Sequence, residues 1–356
     1  MSIQGVDSYI YWGRSTTYKG GDPSSDKHQP FNPLLEFSNP LVHYTQEHIT
    51  TCDKLEPNIV YDKQLELGTT TVKAHFRDPF AALTMFGYKA LPTSWTGTGD
   101  NILANMSNLD NRDKNIWVQV HAHDQSGGGD HLNMLFDGGD ITSYKFLWEQ
   151  GKAVEEEYEL KFAEASENTQ AVDIDDGFDD GSFDADGLDG GWSNWDGAYD
   201  ASKGQVALSN NITCTWNDAA LDGIAIQKGS FEIGFPKEPY YVASALTAAG
   251  SIIGKLAPHK CVLEGKLLGN DEFSEFLAAY SSKTKGTLKV QYGTTKFFQF
   301  TNAYIFQIDP PGGLPPAGEA QDVSYVILGG ANSAISYSWT ANEATDPGDH
   351  INHTNV

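Results

Sequence analysis

Trp117-Val118-Gln119-Val120-His121-Ala122-His123 alternates apolar with polar or small side chains. The same period of two runs through Glu157-Tyr158-Glu159-Leu160-Lys161-Phe162 and Thr287-Leu288-Lys289-Val290-Gln291-Tyr292. Successive side chains of a strand point to opposite faces, so the pattern predicts half-buried antiparallel sheet. A long strand is expected from Lys296 to Ile308. It ends at Asp309-Pro310-Pro311-Gly312-Gly313, which cannot continue a ladder.

Helices are expected at only two places. In Asp78-Pro79-Phe80-Ala81-Ala82-Leu83-Thr84-Met85-Phe86-Gly87, Asp78 can cap, Pro79 suits the first turn and Gly87 can end the helix. In Asn270 to Tyr280, the residues Phe273, Phe276, Leu277 and Tyr280 form one apolar stripe at helical spacing. Each helix follows a strand (Thr70 to Phe76, then Lys260 to Leu268) and precedes a hairpin. The first hairpin pairs Trp117–Val120 with Leu132–Phe136, and the second pairs Thr287–Tyr292 with Phe297–Phe300. Each hairpin leads to a further strand pair, Ile141–Leu147 with Glu155–Phe162 and Asn302–Ile308 with Asp322–Leu328. The order β-α-β-β-β-β thus occurs twice, with little residue identity between the copies. The expected class is all-β, with two antiparallel β-sandwich or barrel domains, each carrying one short helix. They span residues 1–170 and 205–356, and an Asp/Gly-rich linker or loop fills 171–204.

The chain has 356 residues and a formal net charge of −25, from 23 basic and 48 acidic side chains. A surface that grips nucleic acid needs Lys and Arg to neutralise phosphate, so that class is disfavoured. An acidic wall instead repels DNA and lets it pass without sticking; a saline habitat is a competing cause of the same charge. Cys52, Cys214 and Cys261 are far apart and form no CxxC pair, which argues for isolated thiols. No apolar run is long enough to span a membrane, and the N-terminus shows no secretory signal.

Chemistry has few footholds. The segment 173–191 contains Asp at alternate positions with Gly between, and Asp173, Asp175 and Asp179 are the candidate ligands if Ca²⁺ binds. The EF-hand pattern fails there, and a solvated loop is the plainer reading; otherwise no cofactor is expected. His121 and His123 share one strand face and could hold a metal, as in cupin-type sheets, but the next carboxylate ligand is missing. The cluster Trp192-Ser193-Asn194-Trp195-Asp196-Gly197-Ala198-Tyr199 could stack on sugar rings or pack against its own domain. No nucleophile elbow, phosphate loop or zinc-protease motif occurs, so no catalytic residue is assigned.

Two stretches carry a resemblance. Ser8-Tyr9-Ile10-Tyr11-Trp12-Gly13-Arg14-Ser15-Thr16-Thr17-Tyr18 resembles the opening of one group of phage tail tube proteins, followed here by Pro30-Phe31-Asn32-Pro33, the strand Leu65 to Phe76 and the helix at Asp78. Phe136 to Glu155, with Ile141, Ser143, Glu149 and Gly151, resembles the strand–turn–strand of tube subunits; in the second half only Asn302 to Ile308 and the Gly-Pro turn keep that shape. The resemblance implies a non-enzymatic structural subunit of a virion tail, a major tail protein. Such subunits form stacked rings around a hollow conduit for DNA ejection. The implied partners are the chain itself, as a pseudo-sixfold trimer or a hexamer, and other tail proteins, with no membrane. The expected inner-wall and inter-subunit hairpins carry Trp117, Val118, Val120, Leu132, Met134 and Phe136, then Leu288, Val290, Tyr292, Phe298 and Phe300. A carbohydrate-binding virion or surface β-sandwich and a cupin-like metal enzyme are the rival readings.

Overall fold

The computed structural model describes residues 8–15, 17–21, 28–31, 34–38, 42–49, 59–76, 115–123, 131–167, 207–221, 224–234, 237–243, 245–253, 259–267, 271–293, 296–309, 321–329 and 335–338. The first half carries β1 (Ser8–Ser15), β2 (His28–Pro30), β3 (Leu34–Phe37), β4 (Val42–Ile49), β5 (Ile59–Leu67), β6 (Thr69–His75), β7 (Asn115–His123), β8 (His131–Glu149), β9 (Glu155–Lys161) and β10 (Glu164–Glu167). The second half carries β11 (Ile212–Trp216), β12 (Ala219–Ala220), β13 (Ile224–Gly234), β14 (Lys237–Tyr240), β15 (Gly250–Ile253) and β16 (Lys260–Leu267). Helix α1 (Asp271–Ser282) follows, then β17 (Gly286–Tyr292), β18 (Lys296–Asp309), β19 (Gln321–Gly329) and β20 (Ile335–Ser338). The fold is all-β and antiparallel. Its main sheet is open, running from β12 to β2.

The pairing pattern is the same in both halves. The first half pairs in the order β2-β1-β7-β8-β9-β6-β3, with β10 also on β8 and β4-β5 as a separate hairpin. The second pairs in the order β12-β11-β17-β18-β19-β16-β13, with β20 also on β18 and β14-β15 apart. Bulges fall at matching places: Leu34/Glu36 against Ile226/Lys228, Ile116/Val118 against Gly286/Leu288, and Ile141/Ser143 against Ile305/Gln307. A bulge shifts every later side chain to the other face, so shared bulges keep the two hydrophobic patterns in phase. Aligned this way, Trp12 matches Trp216, Phe136 matches Phe300, and Tyr158 matches Tyr325; all are buried.

The alignment also matches Gly138 with Asn302, and both have positive φ (65° and 52°). Glycine and asparagine tolerate this left-handed conformation better than other residues. At Asn302 it lies inside the long strand expected from Lys296, and at Gly138 inside one that the sequence divides in two. The structure joins Leu132–Phe136 to Ile141–Leu147 as β8, with the break absorbed at Gly138 and the bulge that follows.

The halves share one sheet and one core. Strand β8 pairs with β13, from Lys228 opposite Glu149 to Gly234 opposite Ser143. Phe298 packs 5.6 Å from Phe146, 6.5 Å from Phe76 and 5.3 Å from Phe231, ring centre to ring centre, so aromatics of both halves meet. The boundary segment 171–204 lies outside the described residues, as do the helix expected at Asp78–Gly87 and Cys52.

Two local expectations change. Strand β9 buries alternate residues as its period predicts. In β7, however, Asn115 to Gln119 are buried on both faces. The turn after β1 lies over the second face, with Gly21 against the Trp117 ring, where an added Cβ would come within 2.7 Å. In α1 the stripe is not wholly inward: Phe276 is buried against Trp216 and Tyr325, at 5.8 and 4.8 Å, whereas Leu277 and Tyr280 are exposed. A single helix lying on a sheet covers only part of so wide a stripe.

Candidate assembly surface

The hairpins expected to face neighbours spend most of their side chains on the chain's own core. Trp117, Val118, Phe136, Leu288, Val290, Phe298 and Phe300 are buried, and Val120, Met134 and Tyr292 pack against the same cluster. The side chain of Leu132 lies outside the described ones. The register brings them together in pairs: Val118 with Phe136, Val120 with Met134, Leu288 with Phe300, and Val290 with Phe298. These residues hold each hairpin rigid.

A buried carboxylate fixes the first hairpin to the N-terminal strand. Asp137 accepts hydrogen bonds from the backbone N–H of Gly138 (2.6 Å) and Gly21 (2.9 Å) and from the Asn115 amide (2.9 Å). Burial raises its pKa, and these bonds act against that shift. Lys19 beside it reaches Glu164 at 3.2 Å and the Thr247 hydroxyl at 2.8 Å. The Ser15–Gly21 turn, which carries the Ser-Thr-Thr-Tyr motif, is therefore a clamp between elements of the fold.

The chemical candidates gain no support from the geometry. Asp173, Asp175, Asp179, Trp192 and Trp195, and the side chains of His121 and His123, lie outside the described residues. Among the described residues, no group of His, Cys, Asp and Glu is arranged to hold a metal. Burial pushes the Cys214 thiol up to about 12 and Cys261 well above its ordinary value, so both stay protonated and are poor nucleophiles. An open groove where β8, β13, β16, β18 and β19 meet is lined by Glu149, Lys228, Glu264, Asp309 and Asp322. Its cations are paired, Lys228 with Glu264 at 3.6 Å and Lys266 with Asp322 nearby. Among the described residues, no helix is long and apolar enough to cross a membrane.

Among the described residues, two strands have one paired side and exposed apolar side chains. Strand β3 pairs with β6 on one side, and Leu34 and Leu35 are 39% and 49% exposed. The end of β18 pairs with β19 on one side, and Phe306 is 56% exposed. Neither feature is legible in the sequence, because Leu34 and Phe306 sit in strands whose neighbours are set by pairing across the sheet.

The molecule these elements define is an antiparallel β protein built on a repeated pairing scheme. No family model matches its sequence, and no curated protein does. Among solved structures, it is similar to a chain in the sheath–tube complex of an extracellular contractile injection system in the extended state. That match has 9% identity, covers 36% of this chain and 90% of that one, and has a TM-score of 0.30. It is also similar to a chain of the anti-feeding prophage cap that terminates the tube, at 12% identity, with 36% and 89% covered and a TM-score of 0.30. A third is a chain in the sheath/tube terminator of the injection system, at 10% identity, with 35% and 92% covered and a TM-score of 0.28.

Proposed function

We propose that the chain is a structural subunit of a tail tube, with no catalytic role. It assembles with itself into rings that stack around an open lumen and contact other tail proteins, in a virion tail or a similar device. The observation that carries this reading is the repeated half. One chain contains two copies of the same strand-pairing scheme, already joined edge to edge through β8 and β13. An open sheet with apolar residues along its edges is an aggregation hazard in a monomer, and assembly turns the same edges into interfaces. Three chains would supply six such units, giving pseudo-sixfold symmetry. The formal charge of −25 suits a conduit through which DNA slides during ejection without binding.

Negative-stain electron microscopy of the purified full chain, with its solution mass, tests the reading. Rings or stacked tubes with an open centre are the expected result. A monomer that never associates across salt and concentration would overturn it.

A further inference from the structure

The two copies also share a hairpin. Strand β16 matches β6 at a constant offset, with Leu263 at Val72, because each pairs with the buried tyrosine of its neighbour, Tyr325 or Tyr158. Carried back along the chain, the same offset sets β14 on β4 and β15 on β5, pair for pair. Lys237 opposite Ile253 falls on Gln46 opposite Asp62, and Tyr240 opposite Gly250 falls on Ile49 opposite Ile59. The segments that join the paired strands, 241–249 and 50–58, are equal in length.

The hairpin of the second copy rests on the first. Its Thr247 hydroxyl accepts a hydrogen bond from Lys19 at 2.8 Å, and the Lys19 stem lies over Gly138, where an added Cβ would come within 2.9 Å of it. Beside it, β14 runs next to β8. Under this cover and that of β13, Gly138 and Ser143 are buried and Thr142 is half-buried. The matching stretch of β18 is open: Asn302, Phe306 and Gln307, the counterparts of these three, are all exposed. The Ser15–Gly21 turn has no equivalent there, since Asn217 and Asp218 alone join Trp216 to Ala219. The hairpin of the first copy does not supply the cover within the chain, where β5 makes its main approach to β10.

The register of the first hairpin divides it into two apolar parts. Cross-strand partners share a face. Strand β4 alternates throughout, because the extra residue of the bulge, Lys63, lies on β5 between Gln64 and Asp62, whose partners Thr45 and Gln46 are adjacent. By register, Val42 with Leu67 and Tyr44 with Leu65 therefore fall on one face near the base, and Ile49 with Ile59 on the opposite face near the end. A two-stranded ribbon is at best marginally stable in water without something to pack against. We propose that the end of the β4–β5 hairpin in one molecule packs on a second copy of this chain, over β18 between Asn302 and Gln307, as β14–β15 sits beside β8 within the chain. This deepens the tube-subunit reading and rests on it. The contact joins unlike surfaces, so it runs head to tail, the arrangement that closes rings. With no counterpart of Lys19 on the second copy, it leans more on apolar packing than the internal contact does.

The test is photo-cross-linking of the full chain. Tyr61 stands opposite Glu47, on the face that carries Ile49, and is replaced by p-benzoylphenylalanine. Chains of two isotopic compositions are mixed before assembly, and the cross-linked peptides are located by mass spectrometry. The expected product joins residue 61 of one isotope to the 301–309 stretch of the other. Products within one isotope only, or to the first half of another molecule, would overturn the docking. Hydrogen exchange on the unsubstituted protein guards against a variant that cannot assemble. Amides within Gln46–Ile49 and Ile59–Asp62 should slow by about tenfold or more in rings compared with dispersed chains. Unchanged exchange there in assembled rings would overturn this interface and leave the tube reading standing, whereas an unsubstituted chain that never forms rings would sink both.

Discussion

His259 is 3% exposed and lies nearly parallel to the Phe300 ring, at 6.2 Å and 9°. Burial lowers its pKa to about 4 from the ordinary 6.5. Between these values the unfolded chain binds the proton and the folded chain does not. This contribution to stability is therefore complete above about pH 6.5 and is lost as pH falls toward 4, on the order of 3 kcal/mol in all. Asp137 works in the opposite sense: its raised pKa means the folded state takes up a proton first, so acidification relieves the cost of its buried charge. Urea midpoints at pH 7.5 and 5 should fall for the natural chain and fall less for His259→Phe. Equal slopes would show that His259 does not titrate on unfolding.

At the scale of elements, the β8–β13 ladder holds the halves together, and its tightest point is Gly229. A Cβ there would come within 2.1 Å of the Trp148 ring on the neighbouring strand. Trp148 is buried, so it has little room to retreat. Gly229→Val is expected to destabilise by about 1–3 kcal/mol through overpacking, read as a lower denaturant midpoint at unchanged m-value. No loss of stability would mean that the ring can move aside. The strands themselves are legible wherever one face is solvated: β9, β16 and β17 follow the period of two because water lies on one side of them. The pattern misleads where a second layer covers the outer face, as at Trp117. It also misleads where a left-handed residue lets one strand continue, as at Gly138. The apolar stripe of α1 reads correctly as a helix but not as a wholly buried face, since Leu277 and Tyr280 point outward.

For the whole molecule, charge opposes assembly. Chains carrying −25 repel one another, and the repulsion reaches about 30 Å at 0.01 M salt but only about 8 Å at 0.15 M. The assembled fraction, followed by sedimentation velocity, is therefore expected to rise with sodium chloride over this range. A fall would mean that the contact is held mainly by opposite charges.

The sequence by itself determined the all-β fold class, the position of most strands, a helix at Asn270–Tyr280, found at Asp271–Ser282, and the doubled order of strands. These follow from local periodicity and from turn chemistry, which each segment carries alone. Only the tertiary structure decided that the two copies share one sheet, that the expected contact hairpins bury Trp117, Phe136 and Phe300, and that β3 and the end of β18 have one paired side among the described residues. An edge is a strand whose neighbour is absent. Its neighbours are chosen by pairing between segments far apart in the chain, so no stretch of sequence states which strand will be left without one.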